Sequence, residues 1–519
     1  MKASGTRTAL LPLILSACSA LRTSNAPSPA SNAQSARAAL TRAIDSMVNA
    51  AEFRSANWGV LIVDPLANDT LYAHNASKLF IPASNQKLVT TSVMLEQLGP
   101  DFRYHTVIGK RGPVSADGVL NGDLTVVGRG DPTTSDHMKG DAMAPLRDIA
   151  DSVRQRGIRR ISGRIVAVGN EFPGPVAGAG WPWNSLDGAS FAGVDELLFN
   201  EGLSVLHVRS GARVGDPAIV ETRPARTYPA VRVVATTVPR DSTVTARGSA
   251  GGRGGRGAFG GPRVSAYHDT LTSTVIVHGQ IALGDSTNIT LPQHDPDAGY
   301  IAALTEALRD RGITVDQQPS VTAENGVVQQ SADHVDSLFT VTSVPLRDIL
   351  PMILKPSQNQ IAEALLRTIG LERTGVGTAD SARQVIARQF TDWKIPPDGY
   401  IVRDGSGLSR EDLISPATIV SILDVMRRSP NFDLFFQSLP IAGVDGTIRT
   451  RMQNTPAQGN LHAKTGTLGM VRSLSGYVHT ADNRLLEFSI LCNNWTTPQA
   501  SVDRVADAIG VALSQLRLQ

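Results

Sequence analysis

The chain has 519 residues, 41% of them hydrophobic and 18% charged, which at about 150 residues per domain predicts roughly three domains with enough apolar side chains for sizeable cores. That balance excludes disordered, collagen-like and coiled-coil chains. Forty-nine Lys and Arg against 47 Asp and Glu give a formal net charge of +2, too even for a protein whose main partner is nucleic acid. Only eight of the bases are lysines, and none lies between Lys139 and Lys355, so a lysine inside a structured motif is informative.

Lys2 and Arg7 precede the apolar run 9–15, the order of a secretory signal, and no later segment approaches the roughly 18 apolar residues of a membrane span. The run ends in Leu15-Ser16-Ala17-Cys18, which resembles the lipobox of bacterial lipoproteins. That resemblance implies a lipoprotein-type signal over residues 1–18, acylation of Cys18, and a periplasmic protein anchored by lipid to an envelope membrane. Ordinary cleavage near Ala20 or Ala26 is the alternative. Residues 19–36, mostly Ser, Ala, Asn and Pro, read as a flexible tether. Cys492, the second cysteine, sits in the apolar run 488–492 and reads as a buried, inert thiol, so no disulfide is expected in the folded part.

A first hairpin is predicted from 58–63 and 70–72 across a turn containing Asp64-Pro65 and Asn68-Asp69, followed by a helix over 84–98 that stops at Gly99-Pro100. Leu146, Ile149 and Val153 form a helical stripe ending at Arg156-Gly157-Ile158. Ile301, Leu304 and Leu308 form another ending at Arg311-Gly312-Ile313. Each helix runs straight into a strand, the same connection used twice. A Gly/Arg-rich stretch, 247–263, reads as a flexible surface loop; weak contact with anionic wall or membrane polymers is the alternative, since export and the lack of interleaved aromatics oppose RNA binding. Residues 461–467, 471–478 and 485–492 read as successive strands, followed by a helix over 502–516 with Val505, Ile509 and Leu513 on one face. The two ends of the chain are therefore expected to form one antiparallel sheet flanked by helices.

Three short motifs carry chemistry. Ser84-Asn85-Gln86-Lys87 opens the first helix, where a three-residue spacing stacks hydroxyl and amine on one face and the helix N-terminus favours an alkoxide. Ser357-Gln358-Asn359 stands at the start of a helix containing Ile361, Leu365, Leu366 and Ile369. Lys464-Thr465-Gly466-Thr467 lies in a strand, where Gly466 is expected to leave room for a substrate backbone. Each string alone is weak.

Together, in this order on helix, helix start and strand, they resemble the S-x-x-K, S-x-N and K-T-G set of penicillin-recognising serine acyl-enzymes. The 273 positions separating Ser84 from Ser357 exceed what a single-domain β-lactamase needs, and the chain resembles the type-4 penicillin-binding proteins, the D-alanyl-D-alanine carboxypeptidase/endopeptidase family. Gly130-Asp131-Pro132-Thr133, Gly180-Trp181-Pro182-Trp183-Asn184, the string 404–410 and the string 440–446 extend the likeness over nearly everything after residue 40. It implies an α+β multidomain chain: a serine transpeptidase-like domain (37–100 plus 341–519), an antiparallel five-stranded sheet flanked by helices, with two nested inserted domains, one formed by 101–192 plus 289–340 and the other by 193–288.

The resemblance also implies roles. Ser84 would attack the carbonyl between two D-alanines, with Lys87 as general base; Ser357 would relay a proton to the leaving amine, and Asn359 would hold Lys87 and the substrate amide. Lys464 and Thr465 would bind the terminal carboxylate within the Lys464 to Thr467 strand, and the N–H groups of Ser84 and Thr467 would form the oxyanion hole. Arg410 and an acidic residue after the Trp-x-Trp string are expected to face a diaminopimelate side chain. Asn184 and Ser185 occupy the positions after Trp183, and the nearest carboxylate is Asp187. The ten histidines show no metal-ligand spacing and no phosphate-binding glycine loop follows a strand, so neither metal nor cofactor is implied. The implied partners are peptidoglycan stem peptides, with β-lactam antibiotics as inhibitors; a homo-oligomer is left open. A β-lactamase or esterase on the same scaffold is the alternative enzyme, and a wall-binding scaffold without turnover the non-enzymatic one.

Overall fold

Strands from the two ends of the chain meet in one sheet. In a computed structural model describing residues 1, 29–223, 226, 228–240, 263–269, 274–318 and 335–518, five antiparallel strands run in the order His462–Leu468, Val471–His479, Leu485–Asn493, Asn57–Asp64 and Asp69–His74. Lys464 pairs with Ser475 in the adjoining hairpin, and Val60 pairs with Ile490, a pairing that spans most of the sequence and joins the two halves of the sheet. Alternation along the strands sends Leu474, Val478, Ile490 and Cys492 to one face, and Tyr477 and Leu491 to the other.

The first face is covered by helix Gln499–Gln515, through Val502, Val505, Ile509 and Leu513, and by helix Pro29–Val48, through Leu40, Ile44 and Val48. The second helix corrects the expected tether: residues 29–36 begin it rather than precede it. Their alanines and Gln34 are good helix formers and Pro29 suits a first helical position. The stripe that anchors them begins only at Leu40, which is why the segment reads as unstructured. Cys492 is buried in this layer, and burial pushes its thiol pKa up.

The other face packs against helices Gln86–Leu98, Leu346–Leu354, Asn359–Thr374 and Pro416–Arg428, with Leu88, Val93, Ile353, Leu365, Ile369, Ile422 and Leu423 fully buried. This layer fixes helix Gln86–Leu98 against Asn359–Thr374 and so sets the distance between the first two motifs.

Among the described residues, 105–342 add four further sheets. Strands Asp336–Thr342, His105–Arg111, Asp123–Val127 and Ile165–Ala167 form one. Helices Met143–Gln155 and Pro296–Asp310 bury the Leu146 and Ile301 stripes together. Each then turns through a glycine at positive φ, Gly157 at 84° and Gly312 at 74°, into a two-residue strand. Those strands, Arg160–Ile161 and Thr314–Val315, pair in parallel, so the repeated connection seen in the sequence is one structural unit. Innermost, Leu203–Arg209 pairs with Ile219–Arg223 and Ser286–Pro292, and Val275–Ala282 pairs with Val231–Val233, Thr236–Val238 and Val264–His268 around Leu206, Val208, Val275 and Val277. Of the Gly/Arg-rich stretch, 247–262 lies outside the described residues. Among the described residues no helix is long and apolar enough to cross a membrane.

Leu365→Ala, at a fully buried position, is expected to lower unfolding free energy by about 2–5 kcal/mol, read as a lower urea midpoint. Leu66→Ala, at a side chain 73% exposed, should leave the midpoint within error.

Candidate active site

Ser84 sits in the single 3-10 turn Ala83–Asn85 that leads into helix Gln86–Leu98. The turn is held from several sides. Ala83 has φ 47°, a strained value for a non-glycine residue. Ser473 donates to Pro82 O at 2.7 Å, Asn493 exchanges two hydrogen bonds with the Ile81 backbone, and Asn85 donates to Ser475 Oγ at 2.6 Å. The sheet thus carries the turn that presents the hydroxyl.

Two glycines allow that close approach. A Cβ on Gly407, whose φ is 84°, would lie 1.9 Å from Ala83 O. A Cβ on Gly466 would lie 2.1 Å from Ser473 Oγ, 2.5 Å from Pro82 O and 3.0 Å from Ser84 N. The expectation that Gly466 makes room for substrate is therefore corrected: its bare Cα faces the protein's own backbone beneath the serine. Strand alternation instead puts Thr465 and Thr467 on the cleft side.

Lys87 is fully buried. Its Nζ lies 3.0 Å from Ser84 Oγ and donates to Asn359 Oδ1 and Ser406 O, both at 2.7 Å. Asn359 begins helix Asn359–Thr374 and donates from Nδ2 to Ser190 O at 3.0 Å. Ser357 is held at φ 66°, and its Oγ accepts from Lys464 Nζ at 2.8 Å; the same amine donates to Thr465 O at 2.8 Å. Thr465 Oγ1 is 2.6 Å from Thr447 Oγ1. Ser84, Ser357, Asn359, Thr465 and Thr467 thus share one cleft of 210 Å³ with Ser190, Phe191, Gly407, Leu408, Thr447 and Leu468. Its lining offers hydroxyls and an amide over two buried amines, a donor set for acyl transfer and not for gripping a metal.

A buried carboxylate pair shapes the side opposite the sheet. Glu363 accepts N–H bonds from Gly405 and Ser406, which aims the Ser406 carbonyl at Lys87. Burial, reinforced by the Asp404 carboxylate, pushes Glu363 up to about 7. Asp404 accepts from Gly407 N and Ser409 N, each at 2.6 Å, and from Trp181 Nε1 at 2.8 Å. The Trp181 indole therefore ties the 180–184 string to the loop 404–410.

The two expected side-chain readers are not brought together. Arg410 is at the rim, donating to Gly469 O at 3.0 Å beside the cleft residue Leu468. Asp187 lies outside the cleft lining: after the turn Trp183–Ser185 its carboxylate faces the inner insertion and accepts from His268 Nδ1 at 2.8 Å. Ser190, Phe191, Thr447 and Glu363 escaped sequence reasoning, because each acts through a contact far along the chain and none sits in a quoted motif; Ser406 lies in the string 404–410, but nothing local shows that its carbonyl meets Lys87.

Gly407→Ala adds both a clash with Ala83 O and strain at positive φ. It is expected to slow acylation by benzylpenicillin about 100-fold, the effect of misplacing a nucleophile by an ångström, measured by stopped-flow or gel-based adduct formation.

Comparison with known proteins places the chain in a family. The chain is 30% identical over 492 residues to the D-alanyl-D-alanine carboxypeptidase of Actinomadura sp. (strain R39), covering 91% of this chain and 84% of that one. It is 26% identical over 460 residues to the D-alanyl-D-alanine carboxypeptidase DacB of Haemophilus influenzae, covering 85% and 86%. The crystal structure of penicillin binding protein 4 from Haemophilus influenzae superimposes with a TM-score of 0.75 at 23% identity, covering 92% of this chain and 99% of that one, a likeness of fold. The family model for D-Ala-D-Ala carboxypeptidase 3 (S13) matches residues 40–516: the chain belongs to the S13 family of serine D-alanyl-D-alanine carboxypeptidases.

Proposed function

We propose that Ser84 is the nucleophile with which this carboxypeptidase removes the terminal D-alanine from peptidoglycan stem peptides, and that the same cleft cuts D-alanyl cross-links. The observation that carries the reading is the 3.0 Å approach of Lys87 Nζ to Ser84 Oγ, with Ser357, which accepts from the buried Lys464, lining the same cleft.

Asn359 Oδ1 and Ser406 O take two N–H donors of Lys87, so in the neutral amine the lone pair is directed at the Ser84 hydroxyl. As the Ser84 Oγ–carbon bond forms, the proton passes to Lys87. The N–H groups of Ser84 and Thr467 stabilise the oxyanion, each worth about 3 kcal/mol. When the carbon–nitrogen bond breaks, Ser357 gives its hydroxyl proton to the departing amine and takes up in turn the proton held on Lys87, which returns Lys87 to the neutral form, and water later hydrolyses the ester. Lys464 has no exposed surface. It therefore supplies positive charge from beneath the cleft, where its amine meets Ser357 Oγ, while the hydroxyls of Thr465 and Thr447 meet the terminal carboxylate. Arg410, exposed at the rim, meets the acidic end of the stem-peptide side chain without Asp187. Fast release of the acyl group, as in a β-lactamase, needs a base for the attacking water, and among the described residues the cleft lining holds no carboxylate or imidazole.

The protein works in the bacterial envelope, held to a membrane through acylated Cys18. The support is the charged-then-apolar order of residues 2–15 followed by Leu15-Ser16-Ala17-Cys18, which lies outside the described residues. With helix Pro29–Val48 part of the body, the link from Cys18 reaches at most about 35 Å, so the enzyme acts on wall close to its membrane.

Intact-mass measurement after incubation with benzylpenicillin is expected to show one stable adduct, mapped to the peptide carrying Ser84. Ser84→Ala should lose it together with D-alanine release from a D-Ala-D-Ala peptide, a drop beyond about 1,000-fold. Retained release would overturn the assignment of the nucleophile, and hydrolysed antibiotic without adduct would favour a β-lactamase. Cys18→Ser is expected to move the protein from the detergent phase to the soluble fraction and to abolish metabolic labelling with palmitate. Unchanged labelling would reject the anchor.

A further inference from the structure

We propose that Asp187, His268 and His294 bind a divalent transition-metal ion of the zinc class, and that the ion fixes the loop forming one wall of the catalytic cleft. Spacing along the sequence hides this set; the fold assembles it from three pieces. Asp187 follows the turn Trp183–Ser185, His268 ends strand Val264–His268, and His294 lies just past strand Ser286–Pro292. One ligand atom from each lies within 4.8 Å of the others. Asp187 Oδ1 is 2.8 Å from His268 Nδ1 and 3.7 Å from His294 Nε2.

Around a tetrahedral zinc ion with bonds of about 2.0–2.1 Å, neighbouring donor atoms stand roughly 3.4 Å apart, between those two distances. The imidazoles stack with centroids 3.6 Å apart and planes 23° from parallel. Ring lone pairs lie in the ring plane, so both can reach one ion only if one ring tilts. His294, with its side chain 38% exposed against 2% for His268, has that freedom. Two imidazoles and a carboxylate leave a fourth position for water.

A simple hydrogen bond accounts for His268, whose backbone N–H also approaches Asp187 Oδ1 at 3.4 Å. It does not account for a second imidazole nitrogen brought near the same oxygen. The loop makes the site consequential. Three residues beyond Asp187, Ser190 and then Phe191 line the cleft; Ser190 O accepts from Asn359, and Ala189 O and Ala192 O accept from Gln360. An ion joining Asp187 to two histidines therefore pins the backbone that holds Asn359. Binding stands apart from the catalytic assignment; its effect on the cleft rests on it.

The test titrates the chelator-treated full chain with Co²⁺, read by its d–d absorption, and with Zn²⁺, read by calorimetry. One equivalent is expected, with a raised thermal midpoint and a changed rate of benzylpenicillin acylation. His294→Ala and Asp187→Asn should lose stoichiometric binding and the thermal shift, while metal-free His294→Ala keeps the acylation rate of the metal-free native protein. No stoichiometric binding to the native chain, or equal binding to both variants, would overturn the site. Binding with unaltered acylation would overturn its coupling to the cleft, and loss of acylation with intact metal binding would instead count against Ser84.

Discussion

Lys87 Nζ has left water and must find its hydrogen-bond partners inside the protein, and that requirement organises the catalytic half of the molecule. Its acceptors Asn359 Oδ1 and Ser406 O stand 272 and 319 residues further along the chain. A buried amine stripped of partners is costly by several kcal/mol, so the helix starting at Asn359, the loop 404–410 and the serine turn have to arrive together. Glu363 makes the dependence cooperative, since its carboxylate orients the Ser406 carbonyl from underneath. The same helix thus delivers Asn359 and Glu363 on one packed face.

Steric permission matters as much as polar pairing. The Ala83–Asn85 turn is squeezed between Gly407 and Gly466, each too close for any side chain. Strain at Ala83 and Ser357, both at positive φ, is borne by the surrounding sheet and helices. Rigid elements with little room to relax are what a nucleophile needs if it is to be aligned before substrate arrives.

The inserted segments are part of the cleft and not ornaments on it. Trp181 hydrogen-bonds Asp404, the Ser190 carbonyl receives Asn359, and Gln358, next to Ser357, donates to the buried Glu201. Arg367 reaches from helix Asn359–Thr374 to the carbonyls of Phe172 and Pro175. Removing the insertions would leave Asn359 Nδ2 and the Trp181 partner Asp404 without these contacts, which explains why a compact serine acyl-enzyme core carries so large an intervening segment.

By itself the sequence determined the periodic elements, because period-2 and period-3.6 patterns record which face is buried. It also placed Ser84, Lys87, Ser357, Asn359 and the Lys464 to Thr467 strand in one site through three ordered motifs. It hid the helix before Leu40, whose first turns carry no apolar stripe. It misassigned Gly466 and Asp187, because a bare Cα and a carboxylate look alike whether they face substrate, backbone or histidine. Only the tertiary structure decided those directions, along with Thr447, Ser190, Glu363 and the Asp187–His268–His294 cluster. Such residues meet through packing of elements distant in sequence, and a local pattern carries no record of what lies across a cleft.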